Sequence, residues 1–230
     1  MKKSLLILAI SLFISYISKA QDADVYLSSG GEVIFSWAVI DYNGNDNGNV
    51  MRFSPVFNLQ NILNVDINPV MGFFTGLNAH NIGFIYDIPG TDTRMKFRNY
   101  TLGIPAGIKI GKMDKSFIFG GYEVEFPINY KEKRFENEKK VDKFDVWFSK
   151  RVPGYYHTVF GGFQLAGGTA IKIKYYLTGF HNENYSETIN GIPNKPYKGL
   201  KTNLFYVSLS FDVFKKDKFV SIKTDENRVY

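Results

Sequence analysis

Apolar and polar residues alternate one by one along most of this chain, the spacing of β-strands whose two faces meet different environments. In GGYEVEFPINYK (Gly120 to Lys131), Tyr122, Val124, Phe126 and Ile128 interleave with Glu123 and Glu125. Phe205, Val207, Leu209, Phe211 and Val213 alternate with Tyr206, Ser208, Ser210 and Asp212, and Ile171, Ile173, Tyr175 and Leu177 with Lys172, Lys174, Tyr176 and Thr178. Tyr100 to Ile110 repeats the pattern against Asn99, Thr101, Gly103, Pro105, Gly107 and Lys109. Eight strands are predicted: Glu32 to Asp41, Val50 to Phe57, Pro69 to Ile85, Met95 to Ile110, Phe117 to Tyr130, Tyr155 to Leu165, Thr169 to Phe180 and Thr202 to Phe214. Several exceed the five or six residues usual in soluble sheets and approach the roughly nine to eleven that cross a bilayer at a tilt.

The connections alternate in character. Those at Tyr42 to Asn49, Tyr86 to Arg94, Lys131 to Gly154 and His181 to Lys201 are polar, and the last two are long. Between them fall GKMDKS (Gly111 to Ser116), the junction at Ala166 to Gly168, and the longer segment Asn58 to Asn68. An up-and-down membrane barrel puts long loops at its outer end and tight turns at the other. The stretch FNLQNILNVDIN (Phe57 to Asn68) is too long for such a turn, and reads either as a short helix or as an extension of its flanking strands.

The first residues, MKKSLLILAISLFISYISKA, carry two lysines, an apolar run from Leu5 to Ile14 and a small-residue end at Ala20. That is the layout of a secretory signal whose core is too short to span a membrane, so residues 1–20 are predicted to be cleaved. Without Lys2, Lys3 and Lys19 the basic count drops from 28 to 25 against 22 acidic residues, and the net charge from +6 to +3. The remaining charge is dispersed, which argues against a nucleic-acid partner. There is no cysteine, hence neither a disulfide nor a lipoprotein anchor. With 21 Phe, 15 Tyr and 21 Gly, the composition favours strands joined by tight turns.

The faces opposite the apolar stripes are polar or small, as the lumen of a narrow barrel requires. A lumen charge network is predicted from Lys109, Glu123, Glu125, Lys172, Lys174 and Asp212, because opposite charges in a closed lumen can pair where isolated ones would be costly. Pro105 lacks a ladder donor, and a bulge is expected there.

Little else carries chemistry. The glycines of FGGY (Phe119 to Tyr122) and FGGFQLAGG (Phe160 to Gly168) lack the Lys and Ser or Thr of a phosphate loop. DYNGNDNGN (Asp41 to Asn49) offers Asp41, Asn43, Asn45 and Asp46 as calcium donors, but Asp46 stands where the loop glycine belongs and Arg52 where the terminal glutamate belongs. His80, His157 and His181 are not at metal-binding spacing, and no cofactor is implied. A hydrolytic pair would have to come from His157 with Ser149 or His181 with Ser186, without a supporting motif. The loop from Lys131 to Arg151 mixes charge with Phe144, Trp147 and Phe148, suited to lipopolysaccharide phosphates, to a partner, or to anchoring at the membrane interface.

NYTLGIPAGIKIG (Asn99 to Gly111), GGYEVEFPINYK, GGTAIKIKYYLTGFHNENY (Gly167 to Tyr185) and LFYVSLSFDVF (Leu204 to Phe214), behind a leader ending SKAQ, resemble the small outer-membrane β-barrel proteins of Gram-negative bacteria, the porin-like or OmpA/OmpX-like group. The resemblance implies outer-membrane location and insertion by the barrel assembly machinery, and no reaction. It departs at the end, where KKDKFVSIKTDENRVY follows Phe214 in place of a closing aromatic residue. The prediction is an all-β chain: a signal peptide at 1–20, one antiparallel up-and-down transmembrane β-barrel of eight strands at 21–214, and a periplasmic tail or extra strand at 215–230. Its role is structural or binding, among outer-membrane lipid and lipopolysaccharide. The alternatives are a secreted lipocalin-like binder of an apolar ligand, an outer-membrane lipid-modifying enzyme, or a narrow channel.

Overall fold

A computed structural model describes residues 23–42 and 49–214, so the predicted signal peptide, the predicted C-terminal tail or extra strand and most of the DYNGNDNGN loop lie outside the described residues. The chain runs through β1 (Asp24–Tyr42), β2 (Asn49–Val50), β3 (Arg52–Ser54), β4 (Leu59–Asn68), β5 (Met71–Asp87), β6 (Thr93–Lys112), β7 (Ser116–Glu136) and β8 (Lys139–Trp147). It continues through β9 (Tyr156–Gln164), β10 (Thr169–Tyr176), the small β11 (Glu187–Ile189) and β12 (Ile192–Asn194), and β13 (Leu200–Phe211). Hydrogen-bonded neighbours follow the order β1, β4, β5, β6, β7, β9, β10, β13, and β13 returns to β1 from Gly31↔Phe211 to Tyr42↔Leu200. The sheet is therefore a closed antiparallel ring of eight strands, leaving no edge exposed around it.

The structure decides three local expectations. For Asn58 to Asn68 the strand extension holds, and the helix and the turn-like connection do not: β4 pairs with β1 from Asp24↔Asp66 to Gly31↔Leu59 and with β5 along its length. The second barrel strand is thus β2, β3 and β4 in series, kinked where Phe57 adopts φ 62°. The Asn58 side chain bridges the kink, donating to the carbonyls of Glu32 and Ser54 and accepting from the Asn81 N–H, which replaces ladder bonds the kink removes. Second, no register shift occurs at Pro105. The β5–β6 register is the same on both sides, from Thr75↔Ala106 to Asn78↔Gly103, and the ladder skips the steps where the missing N–H would fall. Thr75 Oγ1 donates instead to the Pro105 carbonyl. Third, Lys131 to Gly154 is not all loop, since β7 continues to Glu136 and turns through Asn137 (φ 47°) and Glu138 (φ 62°) into β8.

The tight connections, Pro69–Val70, Met113–Lys115 and Leu165–Gly168, all lie at one end. Gly167 and Gly168 turn at φ 93° and 94°, conformations that side chains rarely adopt, and Leu165 N–H reaches the Thr169 carbonyl across them.

Outward positions are apolar and exposed: Leu102, Ile104, Ile108 and Ile110 on β6, Ile171 and Ile173 on β10, Leu209 and Phe211 on β13. Inward positions on the same strands are polar and buried, including Thr101, Lys109, Lys172, Lys174, Ser208 and Ser210. This inverts a soluble protein and is the arrangement of a barrel in lipid. From Ile110 to Tyr100 the outward face of β6 carries no charge, a span of ten steps that at about 3.4 Å each and a tilt of about 40° gives about 25 Å, the height of an apolar membrane band. Trp37 and Phe205 stack on the outer wall at 5.4 Å between centroids.

Candidate functional site

Glu123 and Glu125 sit two apart on β7, so both point into the barrel, and Lys174 on β10 does the same from two strands away. Lys174 Nζ lies 2.6 Å from Glu123 Oε2 and also contacts Glu125 Oε1. Asn78 Nδ2 donates to Glu123 at 3.0 Å and His80 Nε2 approaches it at 3.2 Å, both from β5. Glu125 accepts from Thr101 Oγ1 at 2.7 Å and from the Tyr176 hydroxyl at 2.9 Å. Glu32 on β1 holds Lys172 at 3.0 Å and accepts from Gln60 and Ser208, while His80 Nδ1 stands 3.7 Å away. All of these groups are buried. Each carboxylate has at least two donors, so the layer meets the condition under which charges survive away from water.

Of the six predicted network residues, Glu123, Glu125, Lys172 and Lys174 meet in this layer. Lys109 lies nearer the end with the tight turns, 2.5 Å from Asp66 Oδ1 and within 3.2 Å of Tyr26 Oη and 3.0 Å of Asn64 Oδ1. Asp212 follows β13 with φ 61°, which ends the alternation, and its N–H binds the Gly168 carbonyl. That turn also sends Val213 inward, against the outward position its spacing predicts; its side chain is 2 % exposed. Sequence reasoning missed Glu32, His80, Asn78 and Thr101. Each has the inward parity of its strand, but parity does not say which inward residues meet across a lumen.

Aromatic side chains cluster inside the barrel on both sides of the charged layer. Toward the tight turns, Phe214 packs on Phe74, Phe117 and Phe119 at 5.2, 5.5 and 4.9 Å between centroids. Toward the loops, Phe180, His181 and Tyr197 fold back from the connection after β10, onto Phe84, Phe97 and Tyr130. His181 stacks on Tyr197 at 4.2 Å, and burial, with the nearby Arg151 guanidinium, holds its imidazole neutral with a pKa down to about 3. Arg151 binds the Tyr197 hydroxyl at 2.9 Å and the Glu187 carboxylate, tying this loop to the segment after β8. The cavity between the charged layer and the Phe214 cluster is about 10 Å³, room for about one water.

The remaining candidates stay apart. His157 meets Tyr122 and Tyr155 on the outer wall, and Ser149 accepts from the Arg151 N–H. Among the described residues, the donor atoms of His80, Glu123 and Glu125 lie within 4.8 Å of one another, close enough for a metal ion, but the Lys174 ammonium already bridges both carboxylates. The centre of the calcium-like loop is outside the described residues.

No protein-family model matches the chain, and neither does any curated protein. The fold is similar to solved structures of small bacterial barrels. Neisserial surface protein A is 10% identical with a TM-score of 0.39, over 82% of this chain and 98% of that one. Ail, the attachment invasion locus protein of Yersinia pestis, is 9% identical with a TM-score of 0.35, over 80% and 97%. CarO of Acinetobacter baumannii is 11% identical with a TM-score of 0.36, over 80% and 96%.

Proposed function

We propose that this chain is an outer-membrane β-barrel that acts through its surface, in a structural or binding role, and neither transports nor catalyses. The observation that carries the reading is the sealed interior: an ion-paired layer held between two aromatic clusters, with a cavity of about 10 Å³ beside it. A lipocalin-like role needs an apolar pocket inside. Here the large apolar depression, about 900 Å³ and bordered by Leu63, Ile108, Ile118 and Tyr122, is on the outer wall where lipid would lie. The leader-like first twenty residues and the uncharged band support export and insertion by the barrel assembly machinery. Catalysis is disfavoured because, among the described residues, the side-chain hydrogen-bond partners of His157 and His181 are Tyr122 and Tyr130, not the serine and carboxylate a hydrolytic site requires.

Two measurements test this. In fractionated cells the protein should be found in the outer membrane and migrate differently with and without boiling in detergent; recovery as a soluble periplasmic protein would sink the membrane reading. In planar bilayers it should give no stepwise conductance, and regular steps would sink the sealed-lumen reading alone.

A further inference from the structure

Directly above Tyr100, where the uncharged band of β6 ends, the outer wall becomes basic. Arg98 and Lys96 on β6 stand opposite Lys131 and Lys133 on β7 in the ladder, and Lys133 in turn stands opposite Lys143 on β8. Lys96, Lys133 and Lys143 therefore form a row of three ammonium groups across adjacent strands, an arrangement that destabilises a sheet by itself. The row beneath, Arg98 and Lys131, ends on Asp145, 3.1 Å from Lys131, the one ion pair these five cations make among the described residues. Burial, together with Arg98, Lys140, Lys143 and Lys96, holds the Lys133 pKa below its ordinary value. The buried Arg52, fixed to the Asn81 carbonyl and side chain, joins Lys96, Arg98, Lys131 and Lys133 around a depression of about 190 Å³. Tyr100 lies below it, 5.5 Å from Lys131 Nζ to the ring centroid.

We propose that this depression binds the phosphates of a lipid A-type glycolipid in the outer leaflet, the inference resting on the reading of the chain as an outer-membrane barrel. Three features select that occupant. The cations face sideways into the membrane interface, so their ligand is a membrane component and not something approaching along the barrel axis. They are in excess and lie on paired strands, so a doubly charged anion can bridge two rows at once. The wall beneath them, Tyr100, Leu102, Ile104 and Phe126, is apolar and exposed or half-exposed, as an acyl chain below the headgroup requires. A phosphate seated between Lys96 and Lys133 would cancel the repulsion the bare sheet carries.

The full-length protein, folded in detergent, is titrated with bisphosphorylated lipid A and with the same lipid stripped of its phosphates, and its unfolding temperature is read from the heat-modifiable band. Lipid A should raise that temperature and the dephosphorylated lipid should not. The Lys96→Gln, Lys133→Gln double variant should fold at least as well as wild type without lipid, because the like-charge row is relieved, yet bind lipid A on the order of tenfold more weakly. Equal effects of the two lipids, an unchanged affinity in the double variant, or displacement of lipid A by an equal concentration of inorganic phosphate would each overturn the inference alone. Failure of the wild-type protein to give a heat-modifiable band would overturn the barrel reading and this inference with it.

Discussion

Lys174 and Glu123 are 2.6 Å apart inside the barrel although β10 and β7 are separated by β9, so the contact reaches across the lumen where a strand-to-strand pair would only line it. Both side chains are at most 1% exposed. Lys174 also contacts Glu125, so one ammonium compensates two carboxylates. Replacing Lys174 with methionine would leave both buried without their cation, at a cost of about 3–5 kcal/mol. Urea unfolding should show that loss, and Lys174→Met combined with Glu123→Gln and Glu125→Gln should recover most of it. A triple variant as unstable as the single one would show that packing, not charge, is at stake.

Gly103 faces the same layer. A Cβ built there would collide with the Glu123 carboxylate, whereas one at Gly31, on the outer face of β1, meets nothing within 4 Å. Gly103→Ala is expected to cost about 1–3 kcal/mol by displacing that carboxylate, and Gly31→Ala close to nothing. Equal unfolding midpoints for the two variants would contradict the account of why this wall is built of small residues.

Phe214 touches three other phenylalanine rings, and Lys109 Nζ lies 5.8 Å from its centroid. Phe214→Ala should destabilise the barrel by about 3–5 kcal/mol. It should still give no conductance, since the Glu32, Glu123, Glu125, Lys172 and Lys174 layer remains in place. Conductance steps in bilayers containing this variant would move the seal from the charged layer to the aromatic cluster.

His181 binds its protons more weakly folded than unfolded, its pKa falling from 6.5 to about 3. The unfolded chain therefore takes up the proton first: stability is fully present above about pH 6.5 and lost as the pH falls toward 3. At pH 4.5 the loss from this residue is about 2–3 kcal/mol. His181→Phe keeps an aromatic ring against Tyr197 and removes the titration, so comparing its unfolding with wild type at pH 7.5 and 4.5 isolates the effect. Parallel pH dependence in the two proteins would refute it.

The alternation of Tyr100 to Ile110 and of Ile171 to Leu177 specifies strand type and facing because a side chain's face depends only on its parity along the strand. The same reasoning could not pair Glu32 with Lys172 or His80 with Glu123, since those contacts depend on stagger around the ring. It also misread residues where facing and environment part company. Lys131 to Trp147 is polar on both sides because β7 and β8 rise beyond the apolar band into water, so a paired hairpin there has the composition of a loop. Phe57 and Asp212 each take a left-handed conformation that shifts the pattern, one kinking the second strand and the other turning Val213 inward.

The barrel wall is also uneven in height. β6 and β7 run 20 and 21 residues, against 9 and 8 in β9 and β10. From Phe126, near the top of the apolar band, the ten further steps to Glu136 raise the β7–β8 turn by about 25 Å at the same tilt. On a cell coated with surface sugars, that post would stand clear of the carbohydrate while the adjoining wall of β9 and β10 would stay in its shade. A bulky reagent such as an antibody should therefore recognise intact cells through Asn137 and Glu138, and the side formed by β9 and β10 only once the sugars are trimmed away.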